Sequence, residues 1–313
     1  MACTFLAGGI AGALALDYPT RPVRWVVGYP PGGSTDIVAR IIGQRLSQRL
    51  GQQFIIENKS GAGNNIGTEA VIRAAPDGYT LLLTNPANAI NATLYARLSF
   101  NFIRDTAPVA GFIRVPNVME VNPSVPARTV AEFISYAKSN PGKINWASSG
   151  TGTSIHLSGE LFKMLTGVTM THVPYRGSAP ALTDLISGTD QVMFDNMPSS
   201  LPHIQAGELR ALGVTTAKRS DSLPDVPTVG ETVPGYEASA FFGMSAPKGT
   251  PPEIIEKLNK EVNAALADPG IRSRLADLGG MLIPGSPADF GKLIGEETEK
   301  WEKVIKTGGV KLE

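Results

Sequence analysis

The sequence predicts an α/β fold in two lobes with a hinge and a cleft between them, and three observations carry that prediction. Short β-branched runs alternate with helical periods, Gly/Ser/Thr-rich loops follow several strand ends, and two long extended stretches divide the chain. At 313 residues the chain exceeds what one small core needs and suits two α/β units. Hydrophobic residues at 42% and charged residues at 18% set disorder and coiled coil aside.

Val23–Val27 (VRWVV) is a β-branched run that reads as a buried parallel strand. It continues through residues 28–33 (GYPPGG) into Ser34, Thr35 and Asp36, any of which can cap a helix. On that helix Ile37, Val38, Ile41, Ile42 and Leu46 share one face. Phe54–Asn58 is a second strand, and a Gly/Asn loop at residues 61–65 leads to a helix over 66–75. The helix stops at Pro76-Asp77-Gly78, a turn signal. Thr80–Thr84 is the third strand and opens into Asn85-Pro86-Ala87-Asn88. This alternation argues for a parallel sheet with helices on its faces.

Residues 109–121 (VAGFIRVPNVMEV) are extended through Pro116 and suit a strand that crosses between lobes. A second series follows: helix 130–139, strand 144–147, loop 148–153, helix 154–166, strand 169–173, loop 174–178 and helix 180–187. Strands at 191–194 and 211–215 complete it. Residues 236–246 return the chain to the first lobe, where amphipathic helices at 252–267 and 287–306 close it. The first lobe is thus expected to hold residues 18–117 and 240–313, and the second residues 118–239. A chain that leaves one lobe and later re-enters it has two crossings, the layout of hinged proteins that close around a ligand.

Lys and Arg together number 28, as do Asp and Glu, so no net field recruits nucleic acid or an anionic membrane. One cysteine, Cys3, excludes an internal disulfide and a Cys-rich zinc site. His156, His172 and His203 lack close metal-ligand spacing, so neither a metal nor a cofactor is expected. Residues 5–16 (FLAGGIAGALAL) form a short apolar stretch with Ala13-Leu14-Ala15 as a cleavage-like site. Residues 1–17 therefore read as the remnant of a secretory signal or as an apolar tail; no basic residue precedes Arg21.

Three loops share one design of strand end, Gly with Ser or Thr, then helix: residues 29–36 (YPPGGSTD), 148–156 (SSGTGTSIH) and 175–180 (YRGSAP). Glycine lets a backbone approach a ligand closely, hydroxyls add donors, and a helix start carries partial positive charge. Together these favour a carboxylate or phosphate, although a plain helix cap needs the same residue types. No G-x-G-x-x-G and no G-x-x-x-x-G-K-[ST] is present, which disfavours a nucleotide site. Ser34 and Ser154 lie at strand-to-helix turns without a G-x-S-x-G context. His156 suits a loop-orienting role better than that of a base, and no paired carboxylates occur at a recognisable spacing. Asp195-Asn196 follows a strand, with ligand contact and an Asx-type turn before Pro198 as its two readings.

In order along the chain, residues 18–40 (YPTRPVRWVVGYPPGGSTDIVAR), 71–85 (VIRAAPDGYTLLLTN), 148–162 (SSGTGTSIHLSGELF), 172–188 (HVPYRGSAPALTDLISG) and 224–232 (PDVPTVGET) resemble the Bug family. These are the solute-binding subunits of tripartite tricarboxylate transporters, and the resemblance runs over essentially the whole chain after Asp17. It implies a periplasmic binding protein of the type II fold, monomeric and non-catalytic. Such a protein passes a small organic acid (a di- or tricarboxylate, an acidic amino acid or an aromatic acid) to membrane permease subunits. It further implies that a ligand carboxyl group meets Tyr29, Gly33, Ser34 and Thr35 in one lobe. In the other it would meet Ser149, Gly150, Thr151, Thr153 and Ser154, partly through bridging waters. Asn85, Arg176, Gly177, Asp195 and Phe242 are the expected variable contacts. Two other readings stand beside this one: a ligand-sensing receptor for a signalling partner, and a hydrolase-like enzyme pairing Ser154 with His156. The second is weak, because residues two apart on a helix point to different faces.

Overall fold

The computed structural model describes residues 17–95 and 97–310, so the expected leader lies outside the described residues but for Asp17. The first lobe opens as β1 (Val23–Val27), α1 (Ser34–Leu50), β2 (Phe54–Asn58), α2 (Asn65–Ile72) and β3 (Thr80–Thr84). Next come α3 (Pro86–Leu94), α4 (Phe102–Asp105) and the long strand β4 (Thr106–Val121). The second lobe runs α5 (Val130–Ser139), β5 (Asn145–Ser148), α6 (Ser154–Thr166), β6 (Thr171–Pro174) and α7 (Ser178–Ser187). It continues with β7 (Val192–Asn196), α8 (Met197–Gln205) and β8 (Arg210–Val214). The chain returns along β9 (Ser239–Pro247) and ends in α9 (Pro252–Ala267), α10 (Pro269–Asp277), β10 (Met281–Leu282) and α11 (Pro287–Gly308).

Strand order explains how two lobes come from one chain. β2, β1 and β3 pair in parallel, with β9 and then β4 added antiparallel beside β3. β4 pairs with β9 from Thr106 to Pro116 and changes partner at once: from Asn117 to Val121 it pairs with β7, and from Val118 with β8. β5 then joins β7 and β6 in parallel. The change of partner is fastened by side chains, because the Asn117 N–H donates to Thr215 Oγ1 at 2.8 Å and Asn117 Oδ1 accepts from Asn196 Nδ2 at 2.6 Å.

Each lobe has its own apolar centre. Trp25, Phe112 and Ile42 are fully buried in the first, with Trp25 and Phe112 edge to face at 5.6 Å. In the second lobe Phe133, Trp146, Phe162, Phe194 and Tyr236 are similarly buried. Burial of such rings contributes roughly 1.5–3 kcal/mol each, so each lobe can hold its site-forming loops in place.

Four helices and the short strand β10 went unforeseen, and proline explains three of the helices. Asn85 caps α3 through a bond from the Ala87 N–H and a reciprocal box with Asn88, with Pro86 opening the helix. Pro198 begins α8, where its missing N–H costs nothing, and Pro269 does the same for α10. The segment Asp195-Asn196, for which an Asx-type turn is one of two readings from sequence, is the end of β7 running straight into α8. The fourth, α4, is a single turn capped by Asn101.

Candidate functional site

Five helices begin around one cavity. Gly33, Ser34 and Thr35 from the start of α1, Asn85 and Pro86 from the start of α3, Tyr29 and Phe242 form its first-lobe wall. Ser149, Thr153 and Ser154 at α6, Ser178 at α7 and Asn196 at α8 form the opposite wall. The non-atom space around these walls, open solvent included, is about 350 Å³. Each helix start directs N–H groups without intrahelical acceptors outward, and the five partial charges add in one place. No Lys, Arg, His, Asp or Glu lines the wall. The arrangement therefore suits an anion held by backbone amides and hydroxyls, with Tyr29, Pro86 and Phe242 for its apolar part.

The α1 start is bare. Its cap residue Gly33 is extended (φ −82°, ψ 167°) and makes no side-chain cap. Asp36 in the first turn would repel an anion, but its carboxylate is turned away and accepts from Arg40 at 2.8 and 2.9 Å, Asn58 at 3.0 Å and the Gly32 N–H at 3.0 Å. Burial pushes that carboxyl up, yet these hydrogen bonds outweigh it and hold the group below its ordinary range.

The α6 start is braced from within its own lobe. Thr153 Oγ1 accepts the His156 N–H at 3.2 Å and donates to the Gly150 carbonyl at 2.8 Å. The Gly152 N–H reaches His156 Nδ1 at 3.4 Å. The Gly150 N–H donates to Ser148 Oγ at 3.1 Å, and that hydroxyl lies 2.7 Å from His172 Nε2. Trp146 stacks on His156 with ring centroids 5.6 Å apart, and His172 lies 4.5 Å from both rings. Burial first, then His172 and Lys163, lowers His156 to about 3; burial and Lys163 lower His172 to about 4. Both rings are thus neutral near pH 7, and His156 Nδ1 serves as an acceptor for the loop. His156 takes the loop-orienting role expected of it, and no hydrogen bond joins its ring to Ser154 among the described residues.

Tyr29, Gly33, Ser34, Thr35, Asn85, Ser149, Thr153, Ser154 and Phe242 all stand in the cavity wall. The other five candidates do not. Asp195 is fully buried behind the wall, where Ser178 and Ser199 each donate to it at 2.5 Å and Ser200 at 3.2 Å. This corrects the expectation that it faces the cleft: a carboxylate aimed at bound anion would cost more than one satisfied by hydroxyls. Desolvation raises Asp195, and raises nearby Glu120 well above the carboxylate range.

Gly150, Thr151, Arg176 and Gly177 lie beyond the wall. The Thr151 carbonyl accepts from Tyr95 of the other lobe at 3.4 Å, and the Gly150 N–H is spent on Ser148. Arg176 is exposed. A Cβ on Gly177 would sit 2.5 Å from Pro30 Cδ, so Gly177 is a point of close approach between lobes. Three wall residues escaped selection: Pro86, Ser178 and Asn196. Ser178 had a signal in the third Gly/Ser loop, and Asn196 in the dipeptide ending its strand.

A two-lobed fold whose cleft gathers helix starts defines a class of binding protein, and the comparisons identify the family. The family model for the tripartite tricarboxylate transporter family receptor matches residues 38–310. The protein BugT of Bordetella pertussis is 37% identical over 308 residues, spanning 97% of this chain and 94% of BugT. A solved R. palustris protein with adipate is 43% identical at a TM-score of 0.92, covering 94% of this chain and 99% of that one. MatC from Rhodopseudomonas palustris, with bound malate, is 34% identical at a TM-score of 0.89, covering 92% and all of that chain (100%). The chain belongs to the tripartite tricarboxylate transporter receptor family, and its Bug-type resemblance is borne out.

Proposed function

We propose that this protein is a periplasmic solute-binding receptor that captures a small organic carboxylate between its lobes and delivers it to the permease subunits of a tripartite transporter. The observation that carries the reading is the meeting of five helix starts around a cavity with no charged side chain in its wall. Adipate and malate in relatives of the same fold support the ligand class. The protein acts as a monomer without catalysis. In the ligand state, Ser34, Thr35 and Asn85 donate from the first lobe, and Ser149, Thr153, Ser154 and Ser178 meet the ligand from the second. Gly150, Thr151, Arg176, Gly177 and Asp195 act around them as rim, contact and support. We place the lobe limits at residues 18–117 with 240–313, and at 118–239. The change of β4 partner between Pro116 and Asn117 falls one residue before the first of those limits and supports it to within a residue.

Thermal melting against a panel of adipate, malate, citrate, glutamate and benzoate tests the reading. A ligand at a hundredfold excess over its Kd stabilises the folded form by about 2.7 kcal/mol, which raises the melting temperature measurably. One acid or a related pair is expected to do so. A flat response to the whole panel at high excess would remove the carboxylate reading.

A further inference from the structure

Ser34 does two things at once. It lines the cavity from the first lobe, and it reaches across to the start of α8 in the second. Its Oγ lies 2.8 Å from Ser199 Oγ and accepts the Ser199 N–H at 3.1 Å. Ser199 is the third residue of α8, a position whose N–H has no acceptor inside the helix and normally bonds the side chain of the cap residue. Here the cap residue, Asn196, makes no such bond. Its amide is drawn to Asn117 Oδ1 at 2.6 Å and Ser154 Oγ at 3.4 Å, away from the Ser199 N–H. The cap that α8 lacks in its own lobe is supplied by Ser34 from the other.

The Ser34 and Ser199 hydroxyls lie where either can donate to the other, with the Asn196 carbonyl in reach of both at 3.3 and 3.0 Å. The buried Asp195 carboxyl group lies 2.5 Å from Ser199 Oγ and fixes its position. Ser34 accepts the Ser199 N–H, and the hydroxyl pair supplies the second bond. Asp195 is fixed in turn by Ser178 at 2.5 Å and Ser200 at 3.2 Å. The two lobes are thus joined by a paired hydrogen bond, oriented from beneath by a group that never touches the cavity.

We propose that Ser34 and Ser199 form an interlobe latch, in which Ser34 caps α8 in trans and Asp195 is the positioning residue that aims Ser199. The latch rests on lobe closure in the function proposed above, not on which solute binds. The latch uses protein atoms only, so it is expected to form in the free protein as well, and the serine that joins the lobes also presents the α1 start to the solute.

The Ser199 amide reports this contact, because its acceptor lies in the other lobe. Residue-resolved hydrogen exchange on the full chain, first without added ligand and then with excess adipate, compares wild type with Ser34→Ala and Ser34→Thr. In wild type without ligand the Ser199 N–H is expected to exchange about tenfold slower than an unprotected amide, the protection one cap bond gives. Ser34→Ala should abolish that protection and Ser34→Thr restore it, with the amides of β7 unchanged in both. Exchange of Ser199 at the unprotected rate in wild-type protein overturns the latch. So does equal protection in Ser34→Ala, or a loss in that variant that β7 shares. Adipate that leaves every rate unchanged bears on the ligand alone, which the melting panel reads separately.

Discussion

The two principal helix starts of the cleft have nearly the same composition and are built in opposite ways. At α6 three donors are tied down locally: Gly150 to Ser148, Gly152 to His156, and the His156 N–H to Thr153. At α1 the cap residue is a glycine with no side chain, and the first hydroxyl of the helix is engaged by the other lobe. One wall is braced within its own lobe; the other is completed by contact with the opposite lobe.

The largest test of that contrast leaves both helix starts untouched. Gly177 faces Pro30 so closely that an added Cβ would lie 2.5 Å from Pro30 Cδ. Its φ of 170° is extended backbone, open to any residue. Gly177→Val should therefore leave each lobe folded and oppose the approach of the two lobes. If the closed form falls below about 1% of the population, apparent affinity drops by more than about a hundredfold. Titration calorimetry with whichever acid the panel identifies checks this. Binding at wild-type strength would mean that the braced wall suffices and closure adds nothing.

A smaller loss is expected at the first-lobe wall. Asn85 Oδ1 accepts the Ala87 N–H at 3.0 Å, while Nδ2 is buried with no partner among the described residues. Asn85→Asp keeps the cap, because Asp is as good an N-cap as Asn, but it puts a negative charge where a donor stood. Affinity should fall about tenfold or more, since like charges a few Å apart repel by several kcal/mol at the effective dielectric of a protein surface. Stability should fall as well, because Asn85 is buried and a carboxylate there loses solvation that the Ala87 N–H restores only in part. Unchanged affinity would show that the solute's charged group lies elsewhere.

These two positions also mark what the sequence can convey. Val23–Val27 and Thr80–Thr84 were legible as strands because β-branched and apolar runs leave few alternatives. The three Gly/Ser/Thr loops were legible because only glycine and small hydroxyl residues allow a backbone to come close to a ligand and still cap a helix. α8 was not, because Pro198 and Pro202 read as punctuation until tertiary packing places them in a helix. Asp195 was misread for a different reason. β7 is buried along its whole length, so alternation along it does not distinguish the cleft side from the side beneath. The part of Gly177 and Thr151 is interlobe proximity, which no local pattern encodes.

The smallest effect on binding belongs to the braced wall, and pH exposes it. His156 accepts the Gly152 N–H only while neutral, and burial holds its pKa at about 3 against an ordinary 6.5. Below pH 6.5 the unfolded chain takes up a proton that the folded chain refuses, so stability falls as pH drops from 6.5 toward 3. His172, lowered to about 4, acts with the same sign. Glu120 and Asp195, raised by burial, act with the opposite sign, since their folded forms keep a proton that the unfolded chain releases. The wild-type slope is therefore a sum, but its difference from His156→Gln isolates one group. Glutamine keeps an acceptor for Gly152 and has nothing to titrate, so affinity at pH 7 should fall only a few-fold. Within the window from about pH 4 to 6 the denaturation free energy of the variant should depend less steeply on pH by one proton, about 1.4 kcal/mol per unit. Equal slopes would mean that His156 is charged in the folded protein, and a charged ring cannot hold the Gly152 amide in the braced wall.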